Sequence, residues 1–222
     1  DVLGIPYTLI TEESIRDHIV PSNRYDRDIG DFIEWKNMGR HAAYQLTPYD
    51  ETIVIDVDYI VQDDSILKIF ETDWDYMLTR RAMPIDTQYS PDVMGTYSLP
   101  FVWATVFVFR KTAKSKMFFD LVDRVQKNYH YYRDLYNIEN RTYRNDYAFA
   151  IADYIINGFR IKSESLPLLL NVMQPITNIE HKDGKFIVRD NDLAYVIPRM
   201  NLHIMSKKFL TSNEFITFVE SL

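Results

Sequence analysis

The chain is organised around residues 52–61, which read TIVIDVDYIV. β-Branched residues lead directly into two aspartates, Asp56 and Asp58, and a second apolar run follows them. Because side chains alternate along a strand, we expect both carboxylates to point to the same side at the end of the strand. Two converging carboxylates repel each other unless a cation binds between them. The stretch therefore predicts a buried strand that ends in a metal site.

The composition limits the class of protein. The chain has 222 residues, of which 46% are hydrophobic, so we expect a single domain, 1–222, with a substantial core. Its net charge of -7 disfavours a broad electrostatic surface for nucleic acid. The sequence has no cysteine, which excludes disulfides and favours a reducing, cytoplasmic location. We expect no membrane span, because the apolar runs are too short.

Apolar patterns on both sides of this stretch predict alternating strands and helices. Further strands are expected at 5–10, 75–81 and 101–109, with edge strands at 161–163 and 186–188. Helices are expected at 31–45, 66–70, 114–132 and 145–156, with another after 201–210. Residues 21–30 and 82–98 are expected to form loops. This alternation predicts an α/β fold, with a mixed sheet flanked by helices.

Spacing alone does not single out Asp56 and Asp58. Three further pairs have the same spacing but lie in polar or mixed surroundings, and we expect them to be solvated: Asp26/Asp28, Asp73/Asp75 and Asp190/Asp192. Only the pair at 56 and 58 ends an apolar run rich in β-branched residues. The context of the pair is therefore what predicts a metal site.

The segment resembles the Asp-x-Asp strand of GT-A fold glycosyltransferases, and within them the glycogenin and bacterial galactosyltransferase type. The resemblance runs from Ile5 to about Leu210, with close identity confined to short motifs. It implies a GT-A (Rossmann-like) α/β fold and a bound Mn²⁺ or Mg²⁺. It also implies a nucleotide diphosphate sugar, most often a UDP-sugar, as donor. Transfer of the sugar to an acceptor hydroxyl would retain the anomeric configuration.

The same resemblance places several residues at the donor. A basic residue upstream of the metal strand contacts the donor in that family, and Arg40 stands there, on the same predicted helix as Asn37. A guanidinium suits this role because it forms forked hydrogen bonds. Trp103 and Ala104 lie where the family's Asn-Ala-Gly strand lines the donor sugar, although only the alanine is kept.

Asn145 and Asp146 resemble the Asn-Asp pair that begins a helix beneath the donor sugar in that family. The resemblance implies a catalytic role, with Asp146 near the anomeric carbon or orienting the acceptor. A helix N-terminus also favours a carboxylate by itself, so a capping role is the alternative for Asp146.

His203 completes the implied metal site. The third ligand of the family is a histidine near the C-terminus that begins a His-x-x-Gly-x-x-Lys motif. Here Ser206 replaces the glycine, and Lys208 falls one residue early with Lys207 beside it. The resemblance thus implies Asp56, Asp58 and His203 as ligands, a set suited to Mn²⁺. It also implies that Lys207 or Lys208 contacts the diphosphate.

One element of the family has no counterpart. The strand at 7–10 looks like the family's second strand, so the first strand, which holds the nucleotide base, is expected to be missing from this chain. Alternatively, the base is held in a different way.

Two other classes of function remain open. Haloacid dehalogenase-like phosphatases also place Asp-x-Asp after a strand, but normally after the first strand, with Thr or Val where Ile60 stands here. A non-catalytic domain of the same fold would bind a partner, and the tyrosine-rich segment 128–136 is a candidate for its surface. The same tyrosines are candidates for an acceptor platform. Glycan, protein, lipid-linked sugar and modified DNA base all remain open as acceptors.

Overall fold

A computed structural model of the chain describes most of its residues. The described ranges are 7–11, 23–26, 31–34, 39–84, 93–94, 99–139, 142–160, 165–167, 170–173, 178–183, 185–190, 193–197, 201–205 and 207–220. The predicted strand at 161–163 lies outside these ranges, as do residues 5 and 6 of the first predicted strand.

The described residues form a mixed α/β structure. Its strands are β1 Asn23–Asp26, β2 Asp31–Glu34, β3 Glu51–Ile55, β4 Tyr59–Ile60, β5 Tyr76–Thr79, β6 Ala82–Pro84, β7 Val93–Met94, β8 Leu99–Pro100, β9 Trp103–Arg110, β10 Leu170–Met173, β11 Asn178–Lys182, β12 Lys185–Asp190, β13 Leu193–Ile197 and β14 Leu202–Ile204. Its α-helices are α1 Ala43–Leu46, α2 Ala113–Lys127, α3 Tyr129–Leu135, α4 Asn145–Ile156, α5 Lys207–Leu210 and α6 Asn213–Glu220. Short 3-10 helices cover Arg40–Ala42 and Ser65–Glu71. None of the helices in these ranges has the length and apolar character needed to cross a bilayer.

Two of the sheets carry the candidate site. In the first, β3 and β5 pair antiparallel with the two edges of β9. In the second, of order β4-β14-β10-β6, the last three strands are parallel and β4 is antiparallel to β14. A backbone hydrogen bond from Leu166 N to Leu78 O, 3.0 Å long, links β5 to the residues before β10. Another, from Leu170 N to Arg81 O and also 3.0 Å long, links β10 to the connection between β5 and β6. The remaining strands in the described ranges form two hairpins and a β11-β12-β13 meander.

The core lies between β9 and the helices α2 and α4. Residues 103–109 of β9 are all buried, as expected for a central strand. Phe107 lies 4.9 Å from Phe149 of α4, and Phe109 lies 4.8 Å from Phe119 of α2, measured between ring centroids. Each such side chain stabilises the fold by roughly 2–3 kcal/mol through burial. These contacts fix α4, and hence its N-terminus, relative to β9.

Helix α2 begins where the sequence provides a cap. The side-chain oxygen of Thr112 accepts a hydrogen bond from the backbone N–H of Ser115 at 3.2 Å, which satisfies a donor that the helix itself cannot pair. The predicted strand 101–109 and helices 114–132 and 145–156 are confirmed as elements, although the long helix divides near Asn128 into α2 and α3. A turn at Asp183, whose φ is 54°, joins β11 to β12.

Three expectations about the N-terminal half were wrong. Residues 7–10 are exposed and have no regular structure. Residues 31–34 form β2 rather than the start of a helix, because they pair with β1 in a stretch expected to be a loop. The periodicity of a short apolar segment does not distinguish a strand from a helix, so pairing with a neighbouring strand determines which of the two forms. The stretch 82–98 also contains the short strands β6 and β7.

The stretch 52–61 is not one strand. β3 ends at Ile55, and residues 56–58 form a turn in which Tyr59 N donates to Asp56 O at 3.0 Å. The chain then enters β4, which belongs to the other sheet. Strand alternation therefore does not bring the two aspartates together, and that expectation is corrected: the turn between the two sheets does so.

Candidate metal centre and its surroundings

The predicted ligands Asp56, Asp58 and His203 lie together. One ligand atom from each lies within 4.8 Å of the others. His203 Nε2 is 3.2 Å from Asp58 Oδ1 and 4.0 Å from Asp56 Oδ2. The histidine is buried, and both carboxylates are partly exposed. The cluster thus has two oxygen donors and one nitrogen donor at a solvent-accessible edge.

Strand pairing explains how residues so far apart in sequence meet. β4 and β14 are antiparallel, with His203 opposite Tyr59. The pairing extends one residue further, since Ile204 N donates to Asp58 O at 2.9 Å. On the other side, Asp56 N donates to Thr105 O of β9 at 2.9 Å. The turn that carries both aspartates is therefore anchored to both sheets.

The electrostatics of Asp58 suit a metal ligand. Burial raises the pKa of this carboxyl. The hydrogen bond and charge of His203, together with a backbone hydrogen bond and the charge of Arg40, bring the pKa below its usual value. The carboxyl is therefore ionised at neutral pH, as metal coordination requires.

The donor set fits a divalent cation. Two carboxylates and an imidazole suit Mn²⁺, and Mg²⁺ accepts the same carboxylates with more reluctance toward nitrogen. Nδ1 of His203 is buried and has no hydrogen-bond partner among the described residues. Nε2, the nitrogen that faces both carboxylates, is therefore the ligand atom that the geometry offers.

Arg40 lies against the same cluster. It belongs to the 3-10 turn Arg40–Ala42, and its guanidinium pairs with Asp56 Oδ1 while donating to the carbonyl oxygen of Ala104. Burial lowers the pKa of Arg40, and the nearby charges of Asp146 and Asp58 oppose that effect. A guanidinium keeps its proton under these conditions, so Arg40 brings a fixed positive charge to the site.

Asp146 is joined to this arrangement through Ala104. The backbone N–H of Ala104 donates to Asp146 Oδ1 at 2.9 Å, while its carbonyl accepts from Arg40. The other oxygen of Asp146 accepts from Arg144 Nε at 2.9 Å. Asp146 is the second residue of α4, where the helix N-terminus stabilises its negative charge. The predicted residues Arg40, Ala104 and Asp146 are thus placed in one network.

Two other predicted residues are turned toward the interior. Asn145 is buried, and its side-chain oxygen accepts from the hydroxyl of Tyr143 at 3.1 Å. Trp103 is 9% exposed and packs edge-on against Phe101, with ring centroids 5.3 Å apart. The indole Nε1 of Trp103 has no hydrogen-bond partner in the described part of the chain. Trp103 is therefore mainly a core residue, whose indole N–H is a hydrogen-bond donor that no described residue uses.

The remaining predicted site residues stay predictions. Asn37 lies outside the described residues, and Lys207 and Lys208 begin α5 but their side chains are not described. Arg144 was not predicted as a site residue, but its guanidinium pairs with Asp146 at 2.6 Å. The sequence signal that could have identified Arg144 is its Arg-x-Asp spacing to Asp146 at the start of a predicted helix. Of the rival pairs, Asp73 has a fully exposed side chain, as expected.

The fold and the site together define a class: a mixed α/β protein with a candidate Asp-Asp-His metal centre next to a partly buried arginine. No protein-family model, curated protein or solved structure matches the chain.

Proposed function

We propose that the protein is a metal-dependent glycosyltransferase that moves a sugar from a nucleotide diphosphate sugar to an acceptor hydroxyl. The proposal includes a GT-A (Rossmann-like) arrangement, a cytoplasmic location and retention of the anomeric configuration. The observation that carries it is the meeting of Asp56, Asp58 and His203 within 4.8 Å of one another, beside Arg40 and the Asp146 network.

Asp56, Asp58 and His203 would hold the cation. When bound, Mn²⁺ or Mg²⁺ supplies a positive charge that stabilises a diphosphate as it leaves. The carboxylates are partly exposed, so the ion's remaining coordination positions can take oxygens from a substrate or from water. A site closed on all sides by protein ligands would not allow this.

The chain's own residues would bind and orient the donor. Arg40 presents a partly buried guanidinium whose geometry matches phosphate or vicinal hydroxyl oxygens. Lys207 or Lys208 would add positive charge where the leaving diphosphate becomes more negative. Trp103 Nε1, Ala104 and Asn37 are the candidates for contacts with the donor sugar. A UDP-sugar is the donor that the resemblance favours.

Asp146 would act close to the sugar carbon or orient the acceptor. Its two oxygens are held by Ala104 N and Arg144 Nε, so the carboxylate is fixed in place before a substrate arrives. A preorganised charge of this kind avoids reorganisation during the reaction. In this proposal Asn145 has a positioning role, since its side chain binds Tyr143.

The experiment is a screen of nucleotide sugars for stabilisation and hydrolysis that depend on Mn²⁺. UDP-glucose, UDP-galactose, UDP-N-acetylglucosamine and GDP-mannose would each be tested by thermal shift and by release of free sugar, with and without Mn²⁺. We expect one donor to raise the melting temperature only when Mn²⁺ is present, and to be hydrolysed slowly.

Two results would contradict the proposal, and each would indicate a different function. Release of phosphate from aryl phosphates with Mg²⁺, without any effect of nucleotide sugars, would indicate a phosphatase of the haloacid dehalogenase type. Absence of both activities, together with no calorimetric signal for Mn²⁺-dependent donor binding, would indicate a non-catalytic binding domain.

A further inference from the structure

Arg40 and His41 are consecutive residues of one 3-10 turn, and their side chains make contacts in different parts of the protein. Arg40 pairs with Asp56 and donates to the carbonyl oxygen of Ala104. His41 Nε2 lies 3.3 Å from Oδ1 of Asp123 on α2. A 3-10 helix has three residues per turn, so consecutive side chains point about 120° apart. The turn therefore connects the candidate metal centre to α2.

The contact between His41 and Asp123 lies at the inner side of α2. His41 is only 4% exposed, whereas the side chain of Asp123 is 28% exposed. The other carboxylate oxygen of Asp123 accepts from Lys127 Nζ at 2.8 Å. An imidazole buried this deeply needs polar neighbours, and the carboxylate of Asp123 is one that α2 provides.

The residues after the turn are also held against α2. The ring of Tyr44 lies 5.5 Å from the ring of Phe119, measured between centroids. The hydroxyl of Tyr44 donates to Thr112 O at 3.1 Å. These contacts hold α1 in place, whereas the contact between His41 and Asp123 acts within one residue of Arg40.

A cavity of about 240 Å³ lies beside this contact. The charged and titratable groups that line it are His41, Tyr44 of α1, and Asp120, Asp123 and Lys127 of α2. A side chain that borders a cavity lacks packing atoms on one side. Packing alone therefore does not fix the imidazole, and loss of the contact with α2 would allow the ring and its turn to shift.

We propose that Asp123, acting through His41, positions Arg40 to bind the nucleotide diphosphate sugar. Asp123 is a positioning residue, because it is not a member of the Asp-Asp-His cluster and acts through the 3-10 turn. The placement of Arg40 is argued from the contacts of the turn. Its benefit to donor binding rests on the proposed glycosyltransferase function.

The first measurement does not require activity. The Nε–H signal of Arg40 in ¹H–¹⁵N NMR spectra, identified by its loss in Arg40→Lys, reports how firmly the guanidinium is held. Asp123→Ala and His41→Phe each remove the contact between α2 and the turn. We expect exchange of the Arg40 Nε proton with solvent to become about tenfold faster in both variants.

The second measurement uses the donor identified in the nucleotide-sugar screen. The KM for this donor should rise about tenfold in Asp123→Ala and in His41→Phe, while kcat stays within about twofold, because the contacts of Arg40 contribute to donor binding. A variant that only contained less folded protein would instead show a lower apparent kcat with an unchanged KM. Circular dichroism and the melting temperature would establish the folded fraction of each variant.

Asp120→Ala and Lys127→Met are the matched controls. Both residues line the same cavity on α2, but neither makes the contact with His41. The Arg40 exchange rate and the donor KM should stay within about twofold in both controls.

Three outcomes would overturn the proposal. Unchanged Arg40 exchange in both Asp123→Ala and His41→Phe would show that α2 does not position Arg40. An effect of Asp120→Ala as large as that of Asp123→Ala would indicate a general effect of charge. A lower kcat with an unchanged KM would remove the role in donor binding.

The two measurements also separate this proposal from the proposed function. Absence of turnover for every nucleotide sugar would contradict the glycosyltransferase function. The exchange rate of the Arg40 Nε proton would still decide whether Asp123 positions Arg40.

Discussion

Nε2 of His203 lies 3.2 Å from Oδ1 of Asp58, across the pairing of two short strands. The contact depends on the register of β4 and β14, so a cation at this point would connect the C-terminal part of the chain to the turn at 56–58. We therefore expect Mn²⁺ to stabilise the fold as well as to bind.

The first prediction concerns Asp58. Asp58→Asn keeps the shape of the side chain but removes the charge that a divalent cation needs, so we expect Mn²⁺ affinity to fall at least about 100-fold. Titration calorimetry and the Mn²⁺ electron paramagnetic resonance signal would measure this. Asp73→Asn is the matched control, since Asp73 belongs to a second Asp-x-Asp pair and its side chain is fully exposed. An Asp58→Asn protein with unchanged Mn²⁺ affinity would remove this residue from the metal site.

The second prediction concerns Arg40. Arg40→Gln leaves the partly buried carboxylate of Asp56 without its cation, so we expect the metal-free protein to lose about 3 kcal/mol of unfolding free energy. Mn²⁺ would then replace the missing charge. Saturating Mn²⁺ should therefore raise the melting temperature of Arg40→Gln by more than that of the unmodified protein.

Arg124→Gln provides the control for Arg40, because Arg124 is an exposed arginine on α2. Neither its stability nor its response to Mn²⁺ should change measurably. Equal Mn²⁺ responses in Arg40→Gln and the unmodified protein would show that Arg40 does not balance the charge of Asp56.

The third prediction separates Asp146 from the metal. Asp146→Asn can still accept the hydrogen bond from Ala104 N, but an amide cannot balance the charge of Arg144. We expect the rate of sugar transfer, or of donor hydrolysis, to fall about 100-fold. Mn²⁺ affinity should stay within about twofold, because Asp146 is not a member of the cluster. Asp120→Asn, at an exposed carboxylate of α2, should change neither quantity.

The sequence predicted the elements that are long and strongly patterned. β9 and α4 were placed correctly because a continuous apolar run and a helix that opens with Asn-Asp are local signals. The ligand set Asp56, Asp58 and His203 was also predicted as a group, although a turn and not a strand brings the aspartates together.

The pairings between distant segments were not predictable in the same way. The pairing of β1 with β2 depends on contacts that periodicity does not report, so a helix was expected where β2 lies. The link from Arg40 through Ala104 to Asp146 uses both backbone groups of Ala104. Backbone hydrogen bonds leave no mark on side-chain patterns, and only the three-dimensional arrangement shows them.

The fourth prediction concerns the network that holds α4 to β5. Asp153 is buried, accepts from the hydroxyl of Tyr76 at 2.9 Å and pairs with Arg80. Asp153→Ala leaves a partly buried arginine without its partner, so we expect a loss of about 3–5 kcal/mol in unfolding free energy, measured by urea denaturation. Tyr76→Phe removes one neutral donor and should cost only about 1 kcal/mol. Equal losses for the two variants would mean that the ion pair contributes little.

The fifth prediction concerns stability at alkaline pH. Burial raises the pKa of Tyr129, and the nearby Tyr147 adds to the shift, so the folded state keeps this proton at a pH where the unfolded chain releases it. The stabilising contribution is complete below the ordinary tyrosine pKa of about 10 and is lost as the pH rises toward the folded-state value. Each such tyrosine should steepen the decline in unfolding free energy by up to about 1.4 kcal/mol per pH unit above about pH 10.

In urea denaturation between about pH 9 and pH 11, Tyr129→Phe should therefore show a shallower decline in unfolding free energy than the unmodified protein. Tyr131→Phe, at an exposed position of the same helix, should leave the slope unchanged, and an identical slope for both variants would contradict the assignment.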